Sequence, residues 1–137
     1  TTTAAEPVVL GAWVSPGAHV NAVGAYTPAT RELDSALVAG ARLYADRRES
    51  LLSEAGEFLI PKSEGLVGDD HVVGEIGELL QGKVEGRTSA DQITLFKSLG
   101  IAIEDLAAAH HVYTRARERD LGTWVEIGGR HFGSAGG

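Results

Sequence analysis

The chain has 137 residues, of which 43% are hydrophobic and 23% are charged, and this balance predicts one water-soluble domain with a packed core. The formal net charge of −7 argues against a nucleic-acid or membrane-surface partner, because phosphate-bearing surfaces bind basic faces. The absence of cysteine excludes disulfides and thiolate chemistry. No apolar run is long enough to cross a membrane and no signal-peptide pattern opens the chain, so we expect a cytoplasmic protein. Methionine is absent even at position 1, and we therefore expect the chain to be a piece of a longer protein.

The first half of the chain predicts short α/β units. His19–Val23 is typical of a buried strand, Glu32–Ala41 has the apolar spacing of a short helix, and Leu43–Asp46 is the next strand. A strand, a helix and a strand in this order predict a parallel crossover. A second helix is expected over Arg47–Ala55, and Pro61 is expected to break the chain's regular structure.

The second half predicts longer elements. His71–Gln81 carries an apolar stripe at helical spacing, and Ile93–Phe96 resembles a strand. The longest helix is expected over Ile101–Arg119, where cationic residues fill the last turn. Thr123–Ile127 is expected to be a short strand, and Gly128–Gly137 a mobile glycine-rich tail.

One segment is a candidate ligand site. Val23–Tyr26, called the crest below, follows a predicted strand and precedes a predicted helix. Such segments present ligands at the carboxyl edge of a parallel sheet. Gly24 in the crest would let the backbone approach a ligand closely.

Other candidate groups favour structural roles. Glu104 and Asp105 open the long helix, where acids are stabilising, although a site-facing role stays open. Glu75 and Glu78 are expected on the exposed face of a helix. None of the five histidines shows a metal-ligand spacing, so no metal site is predicted. They are His19, His71, His110, His111 and His131. The sequence also lacks a phosphate-binding glycine motif and a nucleophile motif.

Four separated blocks resemble the ornithine cyclodeaminase/mu-crystallin family, in the order in which the family carries them. The likeness extends from Thr1 to about Val125. The blocks are PGAHVNAVGAYTPATRELD (16–34), ADRRESLLSEAGEFLIP (45–61), GEIGELLQGKVEGRTSADQITLFKSLG (74–100) and IAIEDLAAA (101–109).

The resemblance implies an α/β fold, the distal half of a Rossmann-type parallel-sheet domain, followed by a long helix that returns to a substrate and dimerisation domain. Residues 1–99 would be the C-terminal half of the nucleotide domain, and residues 100–137 the segment of the second domain. It also implies NAD or NADP as cofactor, a small amino or imino acid as substrate, and a homodimer.

The resemblance also implies site residues. Leu99 would lie over the substrate together with Tyr26, and Tyr26 occupies the position of the family's catalytic aspartate. The implied cofactor contacts are Thr2, Val23, Gly24, Ala25, Tyr26, Thr30 and Ser98.

Tyr26 is the main departure from the ornithine cyclodeaminases. A phenol stays protonated near neutral pH and cannot replace a carboxylate as a base. The crest is nearer to the mu-crystallin-like branch, which implies hydride transfer to or from an imino or amino acid, as in ketimine reductases and amino-acid dehydrogenases. The alternatives are ornithine cyclodeamination and a crystallin-like protein that binds NADPH without catalysis. We expect the isolated chain to be inactive, because half of a Rossmann sheet exposes a strand edge.

Overall fold

The computed structural model describes residue 2 and residues 4–125. The chain forms two compact units, Thr1–Ile101 and Ala102–Gly137. The first unit is an α/β arrangement, and the second is built on one long helix. Over the described ranges, no helix is both long enough and apolar enough to cross a membrane.

The first unit is built on a four-stranded parallel sheet with strand order β1-β4-β2-β3. The predicted parallel arrangement of the first two strands is confirmed, although β4 lies between them and pairs with both. The strands are β1 His19–Ala22, β2 Arg42–Ala45, β3 Val72–Glu75 and β4 Thr94–Lys97. The helices of this unit are α1 Ser35–Gly40, α2 Arg48–Glu54, α3 Gly56–Ser63 and α4 Ile76–Leu80.

Helix α1 begins three residues later than the sequence predicts. Asp34 is its N-cap, and its carboxylate accepts hydrogen bonds from the Leu37 N–H and the Gly11 N–H, both at 2.9 Å. An aspartate in this position satisfies N–H groups that the first helical turn leaves open. The preceding residue, Leu33, forms a bridge with Val9 and is extended rather than helical.

The predicted helix His71–Gln81 is wrong over its first half. Asp69–His71 is a single 3-10 turn, Val72–Glu75 is strand β3, and only Ile76–Leu80 is helical. The two adjacent β-branched residues Val72 and Val73 suit a strand, and β3 pairs in parallel with β2. Tertiary pairing therefore overrides the apolar stripe that favoured a helix.

The prediction that Pro61 breaks the chain is also wrong, because Pro61 lies inside α3. Proline removes one backbone hydrogen bond of the helix interior. Its ring is fully buried, as is the neighbouring Phe58, and this packing compensates for the lost bond.

The second unit contains α5, Ala102–Glu118, which confirms the predicted long helix within two residues at each end. None of its 17 residues, all described, is buried. Thr123–Val125 is not a strand, and the rest of the predicted strand and the tail Gly128–Gly137 lie outside the described residues. The assignment of residues 1–99 and 100–137 to parts of a larger enzyme stays a prediction.

The core of the first unit lies between the sheet and its helices. It draws apolar side chains from strands and helices alike, so the sheet and α1, α2 and α3 form one packed body. Its larger members are Leu33, Leu37, Val38, Leu43, Leu51, Phe58, Val72 and Leu95.

Candidate functional site

The carboxyl ends of the parallel strands meet at one edge of the sheet. Lys97 at the end of β4 pairs with Ala22 of β1 on one side and with Ala45 of β2 on the other. The Ser98 N–H also donates to the Ala22 carbonyl at 3.0 Å. The crest and the segment 98–100 therefore follow neighbouring strands at the same edge, which is where open α/β sheets bind ligands.

The crest exposes two of its residues and buries a third. Val23 is 47% exposed and Tyr26 is 61% exposed, whereas Ala25 is fully buried. An aliphatic and an aromatic side chain are thus presented at the carboxyl edge, while the residue between them is anchored in the fold.

Gly24 is required by a close approach within the chain itself. A Cβ at this position would overlap the backbone of Thr2 and the carboxylate of Glu32. The structure shows that Gly24 allows the close approach of Thr2 and Glu32, and the approach of a ligand to Gly24 stays a prediction. The glycine thereby lets the crest lie directly against its own support.

Glu32 binds the crest and the N-terminal segment with one carboxylate. Its Oε2 accepts the Gly24 N–H at 2.8 Å, and its Oε1 accepts the Thr2 N–H. Burial raises the pKa of the Glu32 carboxyl, but the hydrogen bonds from Gly24 and Thr2 favour its charged form and hold the pKa below its ordinary value of 4.5. Glu32 is therefore an anion at neutral pH.

A buried ion pair lies under the crest. The Lys97 ammonium is 3.3 Å from the Glu57 Oε2, and the two side chains are only 1% and 2% exposed. The same ammonium donates to the Ala25 carbonyl of the crest. The other oxygen of Glu57 accepts the Glu32 backbone N–H at 3.0 Å. Lys97, Glu57 and Glu32 therefore form one connected group beneath the crest, called the crest support below.

Asp46 holds the second edge segment. Its Oδ2 accepts the Ser98 hydroxyl at 2.9 Å, the Leu99 N–H at 2.8 Å and the Gly100 N–H at 2.7 Å. The Arg47 N–H donates to its other oxygen at 2.6 Å. Asp46 is only 4% exposed, so this buried carboxylate is satisfied by the segment that it shapes.

The predicted contact residues fall into two groups. Val23, Tyr26 and Leu99 lie at the carboxyl edge, where Leu99 also packs on the core. Ser98 is 8% exposed and its hydroxyl donates to Asp46, so a contact of the Ser98 side chain with a ligand would use the acceptor capacity of the hydroxyl oxygen.

The two predicted threonines take part in local hydrogen bonds. The Thr30 hydroxyl is 2.8 Å from the Thr27 hydroxyl. The backbone carbonyls of this loop lie close to Gly56 at the start of α3. The Thr2 hydroxyl accepts the Ala4 N–H at 3.3 Å. Thr2 reaches the crest through its backbone bond to Glu32.

Four of the remaining polar candidates, Glu75, Glu78, His19 and His71, have structural partners. Glu75 and Glu78 form a capping box at the start of α4, which corrects the expectation of an exposed helix face. His19 is 2.8 Å from the Thr94 hydroxyl, and His71 is 2.8 Å from the Val38 carbonyl. Within the described part of the chain, no group of three or more His, Cys, Asp and Glu residues is arranged to hold a metal ion.

Sequence reasoning missed four residues that support this edge, namely Glu32, Asp46, Glu57 and Lys97. One signal was available. Lys97 and Glu57 are single charges inside otherwise apolar runs, TLFKSL and AGEFLIP. A lone charge within a core-forming run is a candidate for a buried pair, although its partner cannot be identified from one sequence.

Comparisons with known proteins agree with this geometry. The chain is 45% identical over 112 residues to the ketimine reductase mu-crystallin of Mus musculus, covering 82% of this chain and 33% of that protein. It superposes with a TM-score of 0.80 and 43% identity on the Δ1-pyrroline-2-carboxylate reductase of Thermococcus litoralis solved with NADH and L-proline, covering 90% of this chain and 38% of that one. An archaeal alanine dehydrogenase, solved as a dimer with bound NAD, gives a TM-score of 0.78 at 36% identity, covering 93% and 39%.

The chain thus spans between a third and two fifths of the length of these relatives. The profile of the ornithine cyclodeaminase/mu-crystallin family matches residues 1–120, which is most of the chain. The resemblance inferred from the four sequence blocks is confirmed, and so is the α/β fold that it implied. The chain belongs to the ornithine cyclodeaminase/mu-crystallin family.

Proposed function

We propose that the full-length protein containing this chain is an NAD(P)-dependent enzyme that transfers hydride to or from a small imino or amino acid. The observation that carries the proposal is the convergence of the crest and segment 98–100 at the carboxyl edge of the sheet, in a chain 45% identical to a ketimine reductase. Relatives solved with NADH or NAD support the choice of cofactor.

The exposed residues of this edge suit a nicotinamide ring. Val23 offers an aliphatic surface and Tyr26 an aromatic one, and both are backed by a buried backbone at Ala25. Flat rings pack well on such surfaces. A bound NAD(P)H supplies the hydride, and the residues of the chain position the substrate against it.

The proposed reaction reduces a C=N bond. Hydride from NAD(P)H would add to the imine carbon and a proton from water would add to the nitrogen, so that the imino acid would become an amino acid and NAD(P)H would become NAD(P)⁺. Leu99 would cover the apolar side of the substrate. The Tyr26 hydroxyl, at the same edge, would donate a hydrogen bond to a polar substrate atom.

Tyr26 also separates this proposal from its alternatives. Ornithine cyclodeamination needs a base at this position, which a tyrosine does not provide. The second alternative is a protein that has the same fold and binds NADPH but does not catalyse a reaction. The homodimer, the cytoplasmic location and the assignment of residues 100–137 to a substrate and dimerisation domain belong to the same proposal, and the solved alanine dehydrogenase dimer supports the first of these.

The proposal is tested with the full-length protein. We expect oxidation of NADH or NADPH in the presence of Δ1-pyrroline-2-carboxylate or another cyclic ketimine. The reaction is measured as the loss of the absorbance of the reduced nicotinamide. Pyruvate with ammonia tests the dehydrogenase reaction, and ornithine tests the cyclodeaminase reaction. Tight NADPH binding without turnover of any imine would favour the non-catalytic alternative, and release of ammonia from ornithine would favour cyclodeamination.

The isolated chain is expected to behave differently from the full-length protein. We expect that it neither binds dinucleotide nor unfolds cooperatively. Differential scanning calorimetry with and without NADH checks this, and a sharp transition that NADH shifts upward would contradict it.

A further inference from the structure

Two adjacent backbone groups of the crest are bound from beneath by charged side chains. The Gly24 N–H donates to the Glu32 carboxylate at 2.8 Å. The Ala25 carbonyl accepts from the Lys97 ammonium. An anion and a cation therefore bind a donor and an acceptor of the same short segment, which fixes both its position and the orientation of its peptide groups.

These two side chains are joined through Glu57. One Glu57 oxygen accepts the Glu32 backbone N–H at 3.0 Å, and the other lies 3.3 Å from the Lys97 ammonium. The crest support is thus a single network that ends at the crest on both sides. We therefore expect a displacement of any member to move the crest.

The burial of this network is unusual for charged groups. Lys97 and Glu57 are each 1% exposed, and Glu32 is 6% exposed. Removing two charges from water costs more than a well-packed apolar pair would, so stability alone does not explain why a buried ion pair occupies this place. Its contacts indicate another role, because the Lys97 ammonium donates to the Ala25 carbonyl of the crest and Glu57 accepts the backbone N–H of Glu32, whose carboxylate binds the crest.

Lys97 also connects the crest to the second edge segment. It is the last residue of β4 and directly precedes Ser98 and Leu99. Its backbone leads into segment 98–100, which Asp46 binds, and its side-chain ammonium donates to the Ala25 carbonyl. Lys97 therefore contacts the crest and also leads directly into segment 98–100, and we infer that it sets the distance between these two segments.

We propose that Lys97, Glu57 and Glu32 are positioning residues that hold the crest at the distance and orientation required for hydride transfer. The inference rests on the proposed function and deepens it, since these side chains act through the crest. Val23 and Tyr26 remain exposed at the edge, whereas the crest support lies beneath it.

The test uses the full-length protein and the double variant Lys97→Met with Glu57→Gln. Methionine keeps the length of the lysine stem without its charge, and glutamine keeps an acceptor for the Glu32 N–H, so neither charge of the ion pair is left without the other. We expect kcat for imine reduction to fall about 10–100-fold, because small displacements of reacting groups have effects of this size. The stoichiometry of NADH binding should stay that of the wild type.

The kinetic isotope effect provides a readout that loss of folded protein does not change. With NADH deuterated at the transferred position, we expect a larger isotope effect in the double variant, because misplacement slows the hydride step itself. Lys62→Met is the matched control, since Lys62 forms an exposed ion pair with Asp69 and lies outside the proposed site. It should leave kcat and the isotope effect unchanged.

Lys97→Arg is the second variant, and it keeps the charge pair while changing the reach and shape of the donor. A reduced kcat in this variant, with wild-type NADH stoichiometry, supports the proposal. Wild-type kcat and isotope effect in a folded double variant would overturn it, and so would failure of both variants to fold, which would assign the network to folding alone. Failure of the proposed function is distinguishable, because the wild-type protein itself would then reduce no imine.

Discussion

Two lysine–carboxylate pairs in the first unit have the same chemistry and different surroundings. Lys97 and Glu57 have side chains that are 1% and 2% exposed, whereas those of Lys62 and Asp69 are 40% and 59% exposed. The buried pair binds the Ala25 carbonyl of the crest and the backbone N–H of Glu32, and the exposed pair connects α3 to the turn that precedes β3. Burial, rather than residue type, distinguishes the pair that lies beneath the candidate site from the pair on the surface.

The difference has an energetic basis. Water screens the exposed pair, and measured pairs of this kind contribute about 0–1 kcal/mol. A buried pair gains little net stability when intact, but breaking it leaves an uncompensated charge and costs about 3–5 kcal/mol. The two pairs therefore predict very different responses to the same substitution.

The largest expected effect is that of Lys97→Met alone. It leaves the Glu57 carboxylate buried without its cation, so we expect a loss of about 3–5 kcal/mol of stability. Urea unfolding of the full-length protein measures this. Adding Glu57→Gln should recover most of the loss, and a single variant as stable as the wild type would contradict the buried pairing.

Asp46→Asn tests the second buried carboxylate of the edge. Its Oδ2 accepts three hydrogen bonds from Ser98, Leu99 and Gly100, and an amide group weakens this set. We expect a loss of about 1–3 kcal/mol, together with a higher KM for the imine because Leu99 shifts. Asp70→Asn, at an exposed position, is the control and should change neither quantity.

Glu32 predicts a pH dependence of stability. The folded protein holds the pKa of Glu32 below 4.5, so Glu32 contributes stability above that pH, and the contribution is lost as pH falls through the lowered pKa. Thermal unfolding between neutral and acidic pH should show a steeper acid loss in the wild type than in Glu32→Gln. If the stability of the wild type and of Glu32→Gln fell equally with decreasing pH, the lowered pKa of Glu32 would be contradicted.

The smallest expected effect is that of Lys62→Met. Its ammonium contacts Asp69 and lies 5.8 Å from the centroid of the Phe58 ring, in an exposed setting. We expect a change of at most about 1 kcal/mol in the same urea measurement, decreasing further at high salt. A loss as large as that of Lys97→Met would remove the contrast between the two pairs.

Much of the fold followed from local pattern. His19–Ala22, Arg42–Ala45 and Thr94–Lys97 are strands within a residue or so of their predicted bounds, and α5 is where its length and terminal charges placed it. The stretch 72–75 was assigned to a helix because its apolar spacing fits one, and pairing with β2 makes it a strand. The apolar periodicity of a short segment does not indicate whether that segment will pair with a neighbouring strand.

The candidate site was predicted in part. The resemblance predicted the crest, Ser98 and Leu99 as parts of one site, and the structure places them after neighbouring parallel strands at one edge of the sheet. The roles of Thr2, Thr30 and Ser98 as cofactor contacts stay predictions, as does that of Tyr26. The structure adds that Ser98 is bound by Asp46 and that Gly24 is packed against Thr2 and Glu32.

The sequence by itself determined the family, the parallel α/β pattern and the position of the crest, because these depend on short-range spacing and on blocks of characteristic residues. Only the tertiary structure decided which charges are buried and what they bind. Lys97 meets Ala25 across 72 residues, and Glu57 meets Glu32 across 25. Such pairings depend on which side chains the sheet and helices enclose together. The sequence position of a charged residue does not indicate which distant residue it will contact in the fold.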